Sequence, residues 1–175
     1  MIRRFLDRLY LTAGWIAAAS ILFICVIVSA QVSLNILARI GGPRLSFTIP
    51  SYADFAGFAL ATASFMALSY TLRMGGHIRV NLLIQRLGQG PSWALELLTL
   101  LIGALFAGYA TYYGGSLMWE SWHYGDMSTG IVAVPLWIPQ GAMVAGLALL
   151  CLAFVDTFFE SLMARKPILS DSGSE

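Results

Sequence analysis

Four stretches of this sequence contain no Asp, Glu, Lys or Arg at all. They cover residues 9–38, 55–72, 97–119 and 127–155, and run to 30, 18, 23 and 29 residues. A helix rises 1.5 Å per residue and the hydrocarbon of a bilayer is about 30 Å thick, so about 20 apolar residues cross it. In hydrocarbon each backbone amide must be satisfied within its own segment, which leaves helices as the spanning form for such runs. The pattern predicts an all-α, polytopic membrane protein with four transmembrane helices at about 12–38, 52–73, 94–119 and 131–159. Together they make one membrane domain over 1–166, followed by a loose polar tail at 167–175. Composition supports this: hydrophobic residues make up 58% and charged residues 11% of the chain, against about 25% charged in soluble domains. Too few charges remain to cover a water-soluble surface, and a net charge of +1 gives no footprint for nucleic acid.

The first stretch has a competing reading. Arg3, Arg4 and Arg8 precede an apolar run in which Val28-Ser29-Ala30 resembles a signal-peptidase site. The run continues through Val32, Leu34, Ile36 and Leu37, longer than a signal peptide needs, so an uncleaved helix is expected. Basic residues then set the orientation. The amino terminus, second loop and carboxy terminus carry Arg3, Arg4, Arg8, Arg73, Arg79, Arg86, Arg165 and Lys166, against Arg39 and Arg44 on the other side. Eight against two predicts both termini in the cytoplasm. Aromatic residues mark the interfaces: Tyr109, Tyr112, Tyr113, Trp119, Trp122, Tyr124 and Trp137 on the outer side, Tyr10, Trp15 and Trp93 on the inner.

The second loop holds more than a connection. Val80, Leu83, Ile84 and Leu87 fall at i, i+3, i+4 and i+7, with Arg79, Asn81, Gln85 and Arg86 filling the opposite face. That is the pattern of a short amphipathic helix lying in the interface. Gly75-Gly76 before it supplies the turn out of the second span.

The spans are short of chemistry. No ionisable residue lies at the centre of any of them, where such groups mark ion and substrate paths. Asp54 and Asp156 sit near span ends, within reach of water. Gln31 and Asn35, spaced i, i+4 on one face of the first helix, are the polar feature inside a span, and interhelical hydrogen bonding is their expected role. The two histidines, His77 and His123, fall on opposite sides of the membrane in this topology and cannot share a haem. That argues against a redox-complex anchor, so no cofactor is expected in this chain. Glu120, His123 and Asp126 lack a fourth metal ligand. No nucleophile elbow or paired carboxylates appear, so an enzyme is not expected. A homo-oligomeric channel or exporter would need a polar stripe, of which Gln31 and Asn35 are only a fragment. Packing signals are plentiful instead: Gly103 with Ala107, Ala104 with Gly108, Gly141 with Ala145, and Ala142 with Gly146 are small residues four apart, which let helices approach closely. Whether their partner is internal, an identical copy or another protein stays open at this point.

Two segments carry a family resemblance. Arg73-Met74-Gly75-Gly76-His77-Ile78-Arg79-Val80-Asn81-Leu82-Leu83 resembles the loop between helices two and three of DctQ-type proteins, the small membrane subunits of tripartite ATP-independent periplasmic (TRAP) transporters. That family often has an acidic residue where Asn81 stands. Ser128-Thr129-Gly130-Ile131-Val132-Ala133-Val134-Pro135-Leu136-Trp137-Ile138-Pro139 is similar to its serine, then proline-tryptophan-proline, approach to helix four. The resemblance covers roughly 12–165. It implies a non-catalytic subunit of a sodium-coupled solute importer in the bacterial inner membrane. Such a subunit packs on the scaffold of a large DctM-type permease subunit, which holds the sodium and substrate sites, while a periplasmic substrate-binding protein delivers the solute. By this resemblance Arg73, Gly75, Gly76, His77, Ile78, Arg79, Asn81 and Arg86 form the cytoplasmic turn and flat helix. Arg73 and Arg79 there meet phospholipid phosphates or the large subunit. Ser128, Pro135, Trp137 and Pro139 build the periplasmic edge, with Glu120 and Asp126 as exposed charges beside it.

Overall fold

The computed structural model describes residues 2–42, 47–74 and 89–164. Four helices account for nearly all of them: α1 (Ile2–Gly41), α2 (Tyr52–Arg73), α3 (Gln89–Tyr124) and α4 (Trp137–Ala164). All four are long and apolar enough to cross a membrane. The amphipathic helix expected over 80–87 lies outside the described residues.

The helices pack as a row. α1 packs on α2, α2 on α4, and α4 on α3. α2 and α4 therefore occupy the middle and run parallel, while α1 and α3 run opposite to them at the two edges. Exposed large apolar residues follow this order. α1 shows Leu11, Trp15, Leu22 and Val26, and α3 shows Leu98, Leu105, Phe106 and Tyr112, whereas α2 shows only Leu60 and α4 keeps an intermediate share, Leu152 and Phe159 among them.

The core is built from small side chains. Its buried members include Ala13, Ala17, Ala63, Ala107 and Ala153, joined by Tyr10, Met66, Leu72, Leu100 and Leu150. Tight crossings make up for the lack of bulk. A Cβ on Gly146 of α4 would lie 2.6 Å from the carbonyl carbon and oxygen of Phe65 in α2, so the two backbones touch there. A Cβ on Gly103 of α3 would lie 2.7 Å from the Phe154 ring of α4. Gly108 faces Cys151, and Gly141 faces Met118. The small residues read from the sequence thus serve internal packing between α3, α4 and α2.

Boundaries differ from the charge-gap reading where local chemistry intervenes. α1 begins at Ile2 rather than near residue 12, because charged residues extend a helix beyond the hydrocarbon without cost to its hydrogen bonds. α3 likewise runs from Gln89 to Tyr124. α4 starts at Trp137, six residues later than expected, since residues 131–136 are used in a hairpin. Pro139 falls in its first turn, where helix amides have no intrahelical partner to lose.

Candidate functional site

Charged and hydrogen-bonded side chains from different elements meet at the two ends of the helices.

At one end α2 terminates on Arg73. Its guanidinium lies 3.0 Å from Glu160 Oε2, 3.5 Å from Asp156 Oδ2 and 3.6 Å from Asp7 Oδ1. It also donates to Thr157 Oγ1 at 3.4 Å and stands 5.9 Å from the centre of the Tyr10 ring. Arg3 pairs with the other oxygen of Glu160. One planar cation with five donors thus joins α1, α2 and α4. The reason is positional. Asp156 and Glu160 are one turn apart on α4, Arg3 and Asp7 one turn apart on α1, and each lies just beyond an uncharged stretch. The ends of those stretches bring all five charges to one depth. Nearby, Trp93 Nε1 of α3 donates to the Ser161 carbonyl at 3.0 Å. Glu96 and Ser92 of α3 are buried at the same end.

This geometry revises two expectations and refines a third. Arg73, read as a contact for phosphate or a partner, keeps only 16% of its side chain exposed, and its charge is taken up within the chain. Asp156, read as reaching water, does keep 22% of its side chain exposed, although its Oδ2 is sealed from solvent without a hydrogen-bond donor. Tyr10, read as an interfacial anchor, is 2% exposed, while Trp15 on the same helix does face outward. Sequence reasoning missed Asp7 and Glu160 as members of the cluster. The signal available was the pair of i, i+4 spacings, 3 with 7 and 156 with 160.

At the opposite end the segment between α3 and α4 folds into a short hairpin. Gly125, at φ +70°, closes α3, and the Asp126 amide bonds back to the Ser121 carbonyl at 3.0 Å, the long-range bond of a Schellman cap. Met127 and Pro135 then pair across an antiparallel bridge. The Ser128 amide donates to the Val134 carbonyl at 2.8 Å, and the Leu136 amide to the Asp126 carbonyl at 3.0 Å. Ser128 Oγ accepts from the Val134 amide at 2.9 Å.

The hairpin is fixed to α2. Ser51, the residue before that helix, stands at φ 55° and makes no side-chain cap bond. Its Oγ instead accepts from the Val132 amide at 2.9 Å. Gly130 sits so close that a Cβ would fall 1.9 Å from Asp54 Oδ2 and 2.6 Å from Ser51 Oγ. Ser128, Pro135, Trp137 and Pro139 are thus brought into one region, with Glu120 and Asp126 exposed beside it. Trp137 also lines an apolar groove of about 340 Å³ with Met118, Trp122 and Gly141.

Gln31 belongs to this end as well. It is 2% exposed. Its Nε2 donates to Asn35 Oδ1 at 2.9 Å, and its Oε1 accepts from the Ile49 amide at 2.8 Å. Its partners are therefore its own helix and the backbone leading into α2, rather than a side chain of another helix. Gly75, Gly76, His77, Ile78, Arg79, Asn81 and Arg86 lie outside the described residues.

Comparisons with known proteins agree with the resemblance. The family model described as Tripartite ATP-independent periplasmic transporters, DctQ component, matches residues 24–164. The C4-dicarboxylate TRAP transporter small permease protein DctQ of Rhodobacter capsulatus is 30% identical over 91 residues, 52% of this chain and 40% of that protein. The aligned part thus spans less than half of that relative's length. No solved structure matches the chain. With four membrane-length helices and a family match over most of its length, the chain belongs to the DctQ component of the tripartite ATP-independent periplasmic transporters.

Proposed function

We propose that this chain is the static small membrane subunit of a sodium-coupled TRAP-type solute importer in the bacterial inner membrane, with both termini cytoplasmic. It packs on the scaffold of a large DctM-type permease subunit and widens it. The large subunit carries sodium and solute, and a periplasmic substrate-binding protein brings the solute to the hairpin end. The observation that carries this reading is how polar and apolar groups are distributed. The polar clusters at both ends are engaged in holding the four helices together, while the edge helices α1 and α3 offer long apolar faces. A molecule so arranged suits a wall better than a moving carrier.

The test is co-purification of the tagged chain from its own membranes in mild detergent, followed by solute flux in vesicles. A large polytopic membrane protein recovered at near-equal amount, with sodium-dependent flux that needs both chains and the binding protein, is the expected result. Recovery of the chain alone, or flux from the chain alone, would overturn the proposal.

A further inference from the structure

α1 carries a second feature at its Arg73 end, beside its contact with α2. Arg4, Arg8, Leu11, Trp15 and Ala18 are spaced i, i+4, i+7, i+11 and i+14, so they share one side of the helix. All five are exposed. Leu11, Trp15 and Ala18 line one side of a groove of about 250 Å³, with Gly14 as its floor and Tyr70 of α2 as its far wall. The groove exists because residue 14 has no side chain: a Cβ there would sit 3.1 Å from the Tyr70 ring.

Charge distinguishes the mouth of this groove from its surroundings. Arg3 and Arg73 are engaged by Glu160, Asp156 and Asp7. Arg4 and Arg8 make no ion pair among the described residues. Arg8 is the last charge before the 30-residue uncharged stretch, which sets it at headgroup depth with Arg4 one turn further out. The groove then runs from Leu11, about 4.5 Å below Arg8, to Ala18, about 15 Å below it, at 1.5 Å per residue. That is the depth of one leaflet. Basic pockets between spanning helices bind anionic headgroups. The other apolar groove, beside Trp137, has the acidic residues Glu120 and Asp126 at its end of the molecule and lacks this complementarity.

We propose that this face of α1 is a binding site for one anionic phospholipid. The phosphate is held by Arg8 and Arg4, and an acyl chain lies in the groove between Trp15 and Tyr70. The inference rests on the membrane span and on this end of α1 facing lipid, not the large subunit, in the assembled transporter.

The experiment is native mass spectrometry of the full chain, released from mild detergent with phosphatidylglycerol or phosphatidylcholine of identical acyl chains. One retained phosphatidylglycerol, preferred over phosphatidylcholine, is expected. Each arginine contributes about fivefold, so the Arg4→Gln, Arg8→Gln double variant should lower the preference about twenty-five-fold. Ala18→Phe, which fills the groove from its exposed side, should reduce retention of both lipids. Arg39→Gln, the same charge change at the other end of α1, should leave both unchanged. Equal retention of the two lipids by the wild type, an unaltered preference in the double variant, or an equal loss in Arg39→Gln would overturn the site. Full retention by Ala18→Phe would overturn the acyl-chain groove. Thermal unfolding without added lipid confirms that each variant is folded.

Discussion

Replacing Arg73 by glutamine should be the most damaging single change at the charged end. The guanidinium lies between Glu160 at 3.0 Å, Asp156 at 3.5 Å and Asp7 at 3.6 Å. Without it three carboxylates share one remaining cation, Arg3, which is already paired to Glu160. Asp156 suffers most, because its Oδ2 is sealed from solvent and has no hydrogen-bond donor. Removing one partner of a fully buried pair costs about 3–5 kcal/mol. Here the side chains of Asp156 and Glu160 remain about a fifth exposed, and water screens part of that loss, leaving about 2–3 kcal/mol. Thermal unfolding of the purified chain in mild detergent should fall by about 5–10 °C, at about 2–4 °C per kcal/mol for a chain of this size. The cause can be isolated with a double-mutant cycle. Asp156→Asn in the Arg73→Gln background should recover about half the loss, since it removes the uncompensated charge. Arg73→Lys should fall between, because one ammonium cannot reach three carboxylates on two helices. A midpoint for Arg73→Gln within about 1 °C of wild type, or no recovery on adding Asp156→Asn, would refute the argument.

Gly146→Ala should destabilise by about 1–3 kcal/mol and Gly146→Leu by more, since a Cβ there meets the Phe65 backbone at 2.6 Å; the unfolding midpoint in detergent checks both. Gln31→Leu should cost about 1–3 kcal/mol by stranding the Ile49 amide, read in the same assay. Gly130→Ala should lift the hairpin off α2, because the new Cβ overlaps the Asp54 carboxylate. Faster amide hydrogen exchange at Val132 would report it, and Ser51→Ala should raise the same exchange by removing that amide's acceptor.

The number, order and membrane character of the helices were legible because the absence of charge over 18 or more residues is a constraint of its own. α2 agrees with expectation at both ends, Tyr52 and Arg73, since charge, turn and helix end coincide there. α4 does not, because residues 131–136 are as apolar as a span, and their pairing with Met127 and Ser128, with the Val132 amide on Ser51, keeps them out of the helix. Apolarity is local, whereas that pairing depends on a serine hydroxyl replacing a backbone acceptor. The ionic cluster was illegible for a similar reason. Asp7, Arg73 and the Asp156–Glu160 pair are far apart in sequence, and each taken singly reads as a solvated helix end. Only the packing order, with α2 between α1 and α4, turns their common depth into contact. Small residues on α3 and α4 were recognisable as packing surface, but a spacing of four says nothing about which helix fills it.

Packing order also decides where this fold can tolerate change. A row of four helices in lipid gains nothing from burying leucine in leucine, because hydrocarbon surrounds it on both faces. What lipid cannot supply is a donor for a carboxylate, an acceptor for a stray amide, or a second backbone at contact distance. α2 and α4 are held by those three things: Arg73 at one end, Ser51 and Gly130 at the other, and Gly146 against Phe65 between them. α1 adds its own pair of fastenings, Asp7 to Arg73 and Gln31 to Ile49, at the two ends of its contact with α2. Large apolar residues on the outer faces of α1 and α3, such as Leu22, Leu105 and Phe106, are exposed within the chain and contribute little to holding it together. Stability should therefore be sensitive at glycines and polar residues and tolerant at the bulky outer positions, the reverse of a soluble domain with a leucine-rich core.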